Sequence, residues 1–125
     1  MVESKNWWFI SRNNIILWVL RKKIDPFDQL LEVGCGTGFV LQAIRKAFPR
    51  AVLQGSDYYD VGLVHARKRV PSANFTQLDA RKMDKQEHYD VIGAFDVIEH
   101  INEDGLVLSN LSRALKDGTF VLHAD

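Results

Sequence analysis

The chain has 125 residues, 46% of them hydrophobic and 26% charged, so it suffices for one globular domain and not for two. Its 16 basic residues balance 16 acidic residues, which gives no overall field favouring nucleic acid. One cysteine, Cys35, excludes an internal disulfide bond and predicts a cytoplasmic protein. The longest apolar run, residues 15–20, is far shorter than the ~20 residues that span a bilayer.

Helical and extended patterns alternate along the chain, which predicts an α/β fold with a parallel sheet. We expect helices over residues 4–22, 39–48, about 60–69 with Asp60 as N-cap, and about 103–115 with Gly118 just beyond it. We expect strands over residues 29–33, 51–56, 73–78, 89–95 and 119–123. Ligands of such sheets bind at the carboxyl ends of the strands, so the residues that follow each strand are the candidates for a site.

Three glycines follow the first predicted strand, Gly34, Gly36 and Gly38. Glycine tolerates positive φ and lets a ligand approach the backbone closely. The dinucleotide fingerprint needs a sixth-position glycine, and this chain has Phe39 there. The loop therefore favours a ligand without a pyrophosphate.

Two carboxylates end the next two strands. Asp57 follows the second strand, where a carboxylate can accept hydrogen bonds from a ribose diol. Asp79 follows the third strand and could accept a hydrogen bond from an adenine amino group, although a helix cap is a competing role for it. The pattern predicts an adenosyl ligand that spans the two strand ends.

These segments together resemble the class I S-adenosylmethionine-dependent methyltransferases, including the branch of quinone-biosynthesis and other small-molecule enzymes. The resemblance covers nearly the whole chain, in the ordered segments 31–38, 55–57, 77–80, 89–101 and 115–120, with an N-terminal signature of Trp7, Trp8, Phe9 and Arg12. It implies a Rossmann-like three-layer αβα fold, with strand order 3-2-1-4-5. The last two strands usual in the family are not encoded here.

The resemblance implies S-adenosylmethionine as cofactor and methyl transfer to a small-molecule acceptor. The cofactor-binding residues it implies are Arg12, Glu32, Gly34, Cys35, Gly36, Gly38, Asp57, Tyr58, Asp79, Ala80 and Phe95. Within this set, Glu32 and the glycine backbone would face the methionine part, and Arg12 could reach its carboxylate. Phe95 and Asp96 would line the cavity near the methyl group, and Asp96 is also a candidate catalytic residue. His100 is the candidate base by residue type, because imidazole titrates near neutrality.

Several alternatives remain open from the sequence. The chain could be a non-catalytic or truncated S-adenosylmethionine-binding module or, less favoured, an NAD-dependent oxidoreductase. His100 could only orient its loop, and Trp7-Trp8-Phe9 could be a lid or a substrate box. The histidines have no metal-ligand spacing. We expect one domain over residues 1–125, with residues 1–24 as a lid helix. It is either a piece of a longer chain or a short form whose exposed fifth strand forms a homodimer.

Overall fold

The computed structural model describes the backbone of residues 2–95 and 105–122, and the side chains of residues 7–95 and 105–117. The helices are α1 (Val2–Val19), α2 (Phe39–Ala47), α3 (Leu63–Arg69) and α4 (Gly105–Ala114). The strands are β1 (Gln29–Val33), β2 (Val52–Asp57), β3 (Asn74–Gln77), β4 (Tyr89–Ala94) and β5 (Leu115–Leu122). A π-helical turn, Leu20–Ile24, extends α1, and a 3-10 turn, Ala80–Lys82, follows β3.

The five strands form one parallel sheet in the order β3-β2-β1-β4-β5. This confirms the predicted fold class and strand order. Each parallel pair needs a crossover, and right-handed crossovers place the helices on the two faces. The sheet is thus the middle of three layers.

Each face of the sheet carries its own hydrophobic core. The first core lies between the sheet and α1, α2 and α3, and it includes Ile16, Leu41 and Leu63. The second lies between the sheet and α4, and it includes Ile92 and Leu111. β4 is buried on both faces, as its apolar sequence predicts. Among the helices that the structure describes, none is long and apolar enough to cross a bilayer.

Two local predictions were wrong. Asp60 is not the N-cap of α3, because that position is Gly62, and Asp60 contributes only its backbone carbonyl to the Leu63 N–H. Gly118 does not end α4, because β5 begins directly after that helix at Leu115. Pairing jumps from Tyr89–Leu115 to Val91–Thr119, so the intervening residues form a bulge in β5, a place where glycine is common.

Asp90 fixes the amino end of the sheet. Its Oδ2 accepts hydrogen bonds from the backbone N–H groups of Asp28 (2.9 Å) and Gln29 (2.8 Å), and its Oδ1 lies 3.5 Å from Lys116 Nζ. Partial burial raises the pKa of the Asp90 carboxyl, but the two N–H donors and Lys116 outweigh burial and leave the pKa below its usual value. The carboxylate therefore joins β4, β5 and the start of β1.

Candidate functional site

The ends of β1 and β2 meet at one edge of the sheet and hold the glycine-rich turn. Val33 pairs with Ser56, and Asp57 pairs with Gln77. The N–H groups of Gly34 and Cys35 both donate to the Ser56 carbonyl, at 2.7 and 3.0 Å. The turn is therefore anchored to β2, which brings Asp57 beside it.

All three glycines of the turn have positive φ: +77° at Gly34, +54° at Gly36 and +84° at Gly38. L-residues with a side chain rarely adopt such angles. A Cβ at Gly38 would lie 3.2 Å from the Cα and Cβ of Ala66 in α3, whereas a Cβ at Gly36 would meet nothing within 4 Å. Gly38 thus allows helix packing, and Gly36 borders open space at the edge of the sheet.

Asp57 organises the turn directly. Its Oδ2 accepts a hydrogen bond from Gly36 N–H at 2.8 Å, and its Oδ1 accepts one from Tyr59 N–H at 3.0 Å. A carboxylate offers about four acceptor positions, so the half-buried Asp57 retains capacity for further donors. The sequence indicated a ligand contact at Asp57 but missed this contact with the loop, because the two segments are separated along the chain.

Glu32 lies in the sheet at the centre of a row of small residues. It is fully buried, and its partners in register are Gly55 on β2 and Gly93 on β4. A Cβ at Gly55 would lie 2.8 Å from both Cys35 Sγ and the Phe75 ring. Glycine within a strand often marks such a close approach, and this signal would have identified Gly55 and Gly93, to which the sequence analysis assigned no role.

Cys35 is a packing residue in the turn. Its thiol is buried, and burial, followed by the charges of Glu32 and Asp57, raises the pKa of Cys35 to about 12. A thiol with such a pKa stays protonated near neutral pH and is a poor nucleophile. Only the backbone of Cys35 is available for a ligand.

Asp79 caps the turn that follows β3. Its carboxylate accepts hydrogen bonds from the N–H of Arg81 (2.9 Å) and from the Arg81 side chain, including Nη2 at 2.9 Å. These bonds, the side-chain one first, lower the pKa of Asp79. Asp79 therefore does act as the N-cap of the turn Ala80–Lys82, the alternative role considered for it. The carbonyl of the next residue, Ala80, accepts a hydrogen bond from Asn110 of α4 at 3.2 Å.

A cavity of about 460 Å³ lies between the ends of β2 and β3. Its lining includes Tyr58, Gln77 and Asp79, which belong to or follow the predicted strand-end segments, and two residues without a predicted role, Tyr59 and Lys82. Tyr58 and Tyr59 are exposed, with their rings edge to face at 4.9 Å. A second cavity, of about 580 Å³, lies at the start of β3 beside Pro71 and Asn74, away from the glycine turn.

Arg12 is buried within an aromatic group on α1. Its guanidinium carbon lies 5.0 Å from the centroid of the Trp8 ring and 5.3 Å from that of Phe9, within the range of cation–π attraction. The Phe9 ring contacts Phe39 edge to face at 5.5 Å. Phe39 is the first residue of α2, so these contacts connect α1 to the helix that follows the glycine turn.

The remaining candidates follow β4. Phe95 is 3% exposed and belongs to the first core, and its ring covers Gly93 closely enough to occupy the space of a Cβ there. Asp96 and His100 lie outside the described residues. In the described part of the chain, no group of three or more His, Cys, Asp or Glu side chains is arranged to hold a metal ion.

Comparison with known proteins identifies the family. A family model described as "Methyltransferase domain" matches residues 31–121. A malonyl-[acyl-carrier protein] O-methyltransferase of Bacillus cereus is 30% identical over 89 residues, which cover 70% of this chain and 33% of that protein. A ubiquinone biosynthesis O-methyltransferase of Shewanella is 26% identical, over 94% of this chain and 56% of that protein. The chain therefore spans between a third and about half of these relatives.

Solved structures agree on the fold. An amino pentose methyltransferase from Micromonospora echinaspora, solved with bound SAM, aligns with a TM-score of 0.76 and 22% identity, over 98% of this chain and 55% of that one. An S-adenosyl-L-methionine-dependent methyltransferase described as putative, from Methanococcus maripaludis, aligns with a TM-score of 0.78 and 16% identity, over 91% of this chain and 56% of that one. Because the family model covers most of the chain and its elements are those of the observed sheet, this protein belongs to the methyltransferase-domain family.

Proposed function

We propose that the protein binds S-adenosylmethionine at the carboxyl edge of its sheet and transfers the methyl group to a small-molecule acceptor. One observation carries this proposal. The Asp57 carboxylate accepts a hydrogen bond from the Gly36 N–H, Gly36 borders open space, and Tyr58, the residue after Asp57, lines the cavity between the ends of β2 and β3. A carboxylate, a close backbone and an aromatic-lined cavity at adjoining strand ends suit a ribose with its base.

The described residues fit the parts of this cofactor chemically. Asp57 would accept hydrogen bonds from the ribose diol with its remaining acceptor positions. Asp79 would accept a hydrogen bond from the adenine amino group after one of the Arg81 hydrogen bonds to its carboxylate breaks. Ala80 would adjoin the same base. Glu32 and the backbone of residues 34–38 would face the methionine part, whose carboxylate Arg12 would bind.

The ring contact between Phe39 and Phe9 argues against a dinucleotide such as NAD as the ligand. It occupies the start of α2, where a pyrophosphate would need close access to the helix N-terminus.

Methyl transfer requires the protein mainly to position the two reactants. When bound, the cofactor supplies a methyl group on a sulfonium, which passes to the acceptor's lone pair while the sulfur keeps the bonding electrons as S-adenosylhomocysteine. The protein has to align the acceptor and exclude water. We assign water exclusion to residues 1–24 as a lid, which the contact of Phe9 with Phe39 supports. Phe95 and Asp96 remain our candidates for lining the methyl site, and His100 for the base if the acceptor carries a proton.

Calorimetry tests the cofactor assignment. We expect the protein to bind S-adenosylhomocysteine and not NAD, and Asp57→Ala to weaken binding by at least about tenfold, or about 1.4 kcal/mol. Asp84→Ala, which removes an exposed carboxylate elsewhere, serves as the matched control and should leave the affinity unchanged. Binding of NAD alone would overturn the proposal. Binding without turnover on catechol, amine and carboxylate acceptors would reduce the protein to a binding module.

Cell location and assembly belong to the same proposal. We place the protein in the cytoplasm on the basis of its one buried cysteine, and we expect no nucleic-acid partner, since its charges cancel. β5 is an outer strand of the sheet, and an unpaired edge favours pairing between copies. We therefore propose that β5 pairs either with the same strand of a second copy or with further strands of a longer chain, and a monomer mass in light scattering would exclude the homodimer.

A further inference from the structure

The outer face of α1 carries several large apolar side chains that are exposed. Trp7, Ile15 and Trp18 are 69%, 60% and 54% exposed, at spacings that place them on one side of the helix. The opposite side of α1 buries Ile16 in the first core. Large apolar side chains that are exposed together on one face mark a contact surface, so this outer face calls for a further contact.

Positive charge continues from this apolar face. The π-helical turn after α1 carries Arg21, Lys22 and Lys23, all exposed. Residues 7–24 contain no Asp or Glu, and two exposed carboxylates, Asp25 and Asp28, follow them. The exposed part of this segment is therefore mainly apolar over about three helical turns, with Asn14 as its exposed polar side chain, and cationic at its end.

The neighbouring groove does not suit a partner helix. A cavity of about 210 Å³ lies between α1 and α2, and half of its lining residues are polar: Asn13, Asn14, Gln42 and Lys46, beside Ile10, Leu17, Phe39 and Ala43. A helix bound in a groove needs apolar slots for its anchor side chains. Exposed indoles next to cations are instead typical of the boundary between lipid headgroups and acyl chains.

We propose that the outer face of α1, with the turn Arg21–Lys22–Lys23, binds the surface of an anionic lipid bilayer, and that α1 lies parallel to it. The indole and aliphatic groups enter the interface, and the three cations attract the anionic headgroups. Each cation near an anionic surface gives about a fivefold increase in partitioning. Three cations give roughly a hundredfold preference for anionic over neutral membranes.

Vesicle flotation of the whole chain tests this surface. We expect binding to vesicles of phosphatidylcholine mixed with phosphatidylglycerol, weaker binding to phosphatidylcholine alone, and weakening by salt. The double variant Ile15→Ser with Trp18→Ser should lower partitioning at least about tenfold on both kinds of vesicle, because each substitution removes an apolar side chain from the interface. Arg21→Gln with Lys22→Gln should lower it at least about tenfold on anionic vesicles only.

Matched controls remove similar groups from other exposed positions. Val61→Ser with Val64→Ser removes two exposed apolar side chains, and Arg50→Gln with Lys85→Gln removes two exposed cations. These variants should partition like the parent chain, and thermal melts should establish that every variant folds. Failure of the folded parent chain to float with anionic vesicles would overturn the proposal, as would equal losses in the controls. Light scattering gives a further refutation: a dimer that Ile15→Ser with Trp18→Ser converts to monomer would mean that a second copy covers this face.

Discussion

Two alanine substitutions in the glycine-rich turn should separate stability from ligand binding. Gly36 and Gly38 both have positive φ, so alanine at either position costs about 1–2 kcal/mol of backbone strain. Reduced freedom of the unfolded chain returns about 0.4–1 kcal/mol. A Cβ at Gly36 meets nothing within 4 Å, so we expect Gly36→Ala to lower the free energy of unfolding by about 1 kcal/mol.

Gly38→Ala adds a steric cost to the same strain. The new Cβ would lie 3.2 Å from the Cα and Cβ of Ala66, a fully buried residue of α3 that cannot turn away. Overpacking of this kind costs about 1–3 kcal/mol, which gives a total of about 2–4 kcal/mol. Urea denaturation at constant m-value measures both losses.

Ligand affinity should follow the opposite order. The methyl group of Gly36→Ala projects into the open space beside the Asp57 contact, so S-adenosylhomocysteine should bind at least about tenfold more weakly. The methyl group of Gly38→Ala points into α3, and its folded fraction should keep most of the affinity. Two results would contradict these expectations: unfolding of both variants at the same urea concentration, or a larger loss of affinity in Gly38→Ala than in Gly36→Ala.

Three further outcomes are expected. The pKa of Asp90 is lowered in the folded state, so its charge stabilises the protein fully at pH values above the usual pKa of 3.8. This stability is lost as the pH falls through the lower pKa of the folded state. In acid titrations followed by circular dichroism, Asp90→Asn should therefore lose less stability than the parent chain below about pH 5. Because the pKa of Cys35 is about 12 rather than 9.0, iodoacetamide at mildly alkaline pH should label the thiol only after urea unfolds the chain, and fast labelling of the folded protein would contradict this. Gly93→Ala should destabilise the protein because its Cβ meets the Phe95 ring, and in a Phe95→Ala background the same substitution should cost much less, as a double-mutant cycle would measure.

The sequence predicted the elements whose signals are local. β1 begins and ends as expected, since Gln29 follows a Pro-containing break and the glycine turn starts directly after Val33. α2 ends one residue before its predicted end. Such boundaries depend on turn-forming residues and on helical spacing, and both can be identified within a short window.

Features that depend on contacts between distant segments were missed. Asp60 has the chemistry of an N-cap, but the approach of Gly62 to the Gly36 backbone, 3.0 Å for an added Cβ, fixes the start of α3 differently. The bulge in β5 opposite Asp90 displaced the predicted start of that strand. The contact between Asp57 and Gly36 likewise joins two segments that meet only once β1 and β2 have paired.

Two carboxylates at opposite ends of the central strands have different roles in the sheet. Asp90 binds the N–H groups that begin β1, whereas Asp57 binds the turn that follows the same strand. Substitutions around the turn can therefore change the affinity for the ligand while the opposite end keeps the strands aligned. In such a sheet, the contacts that bind the ligand and the contacts that align the strands can change independently of each other.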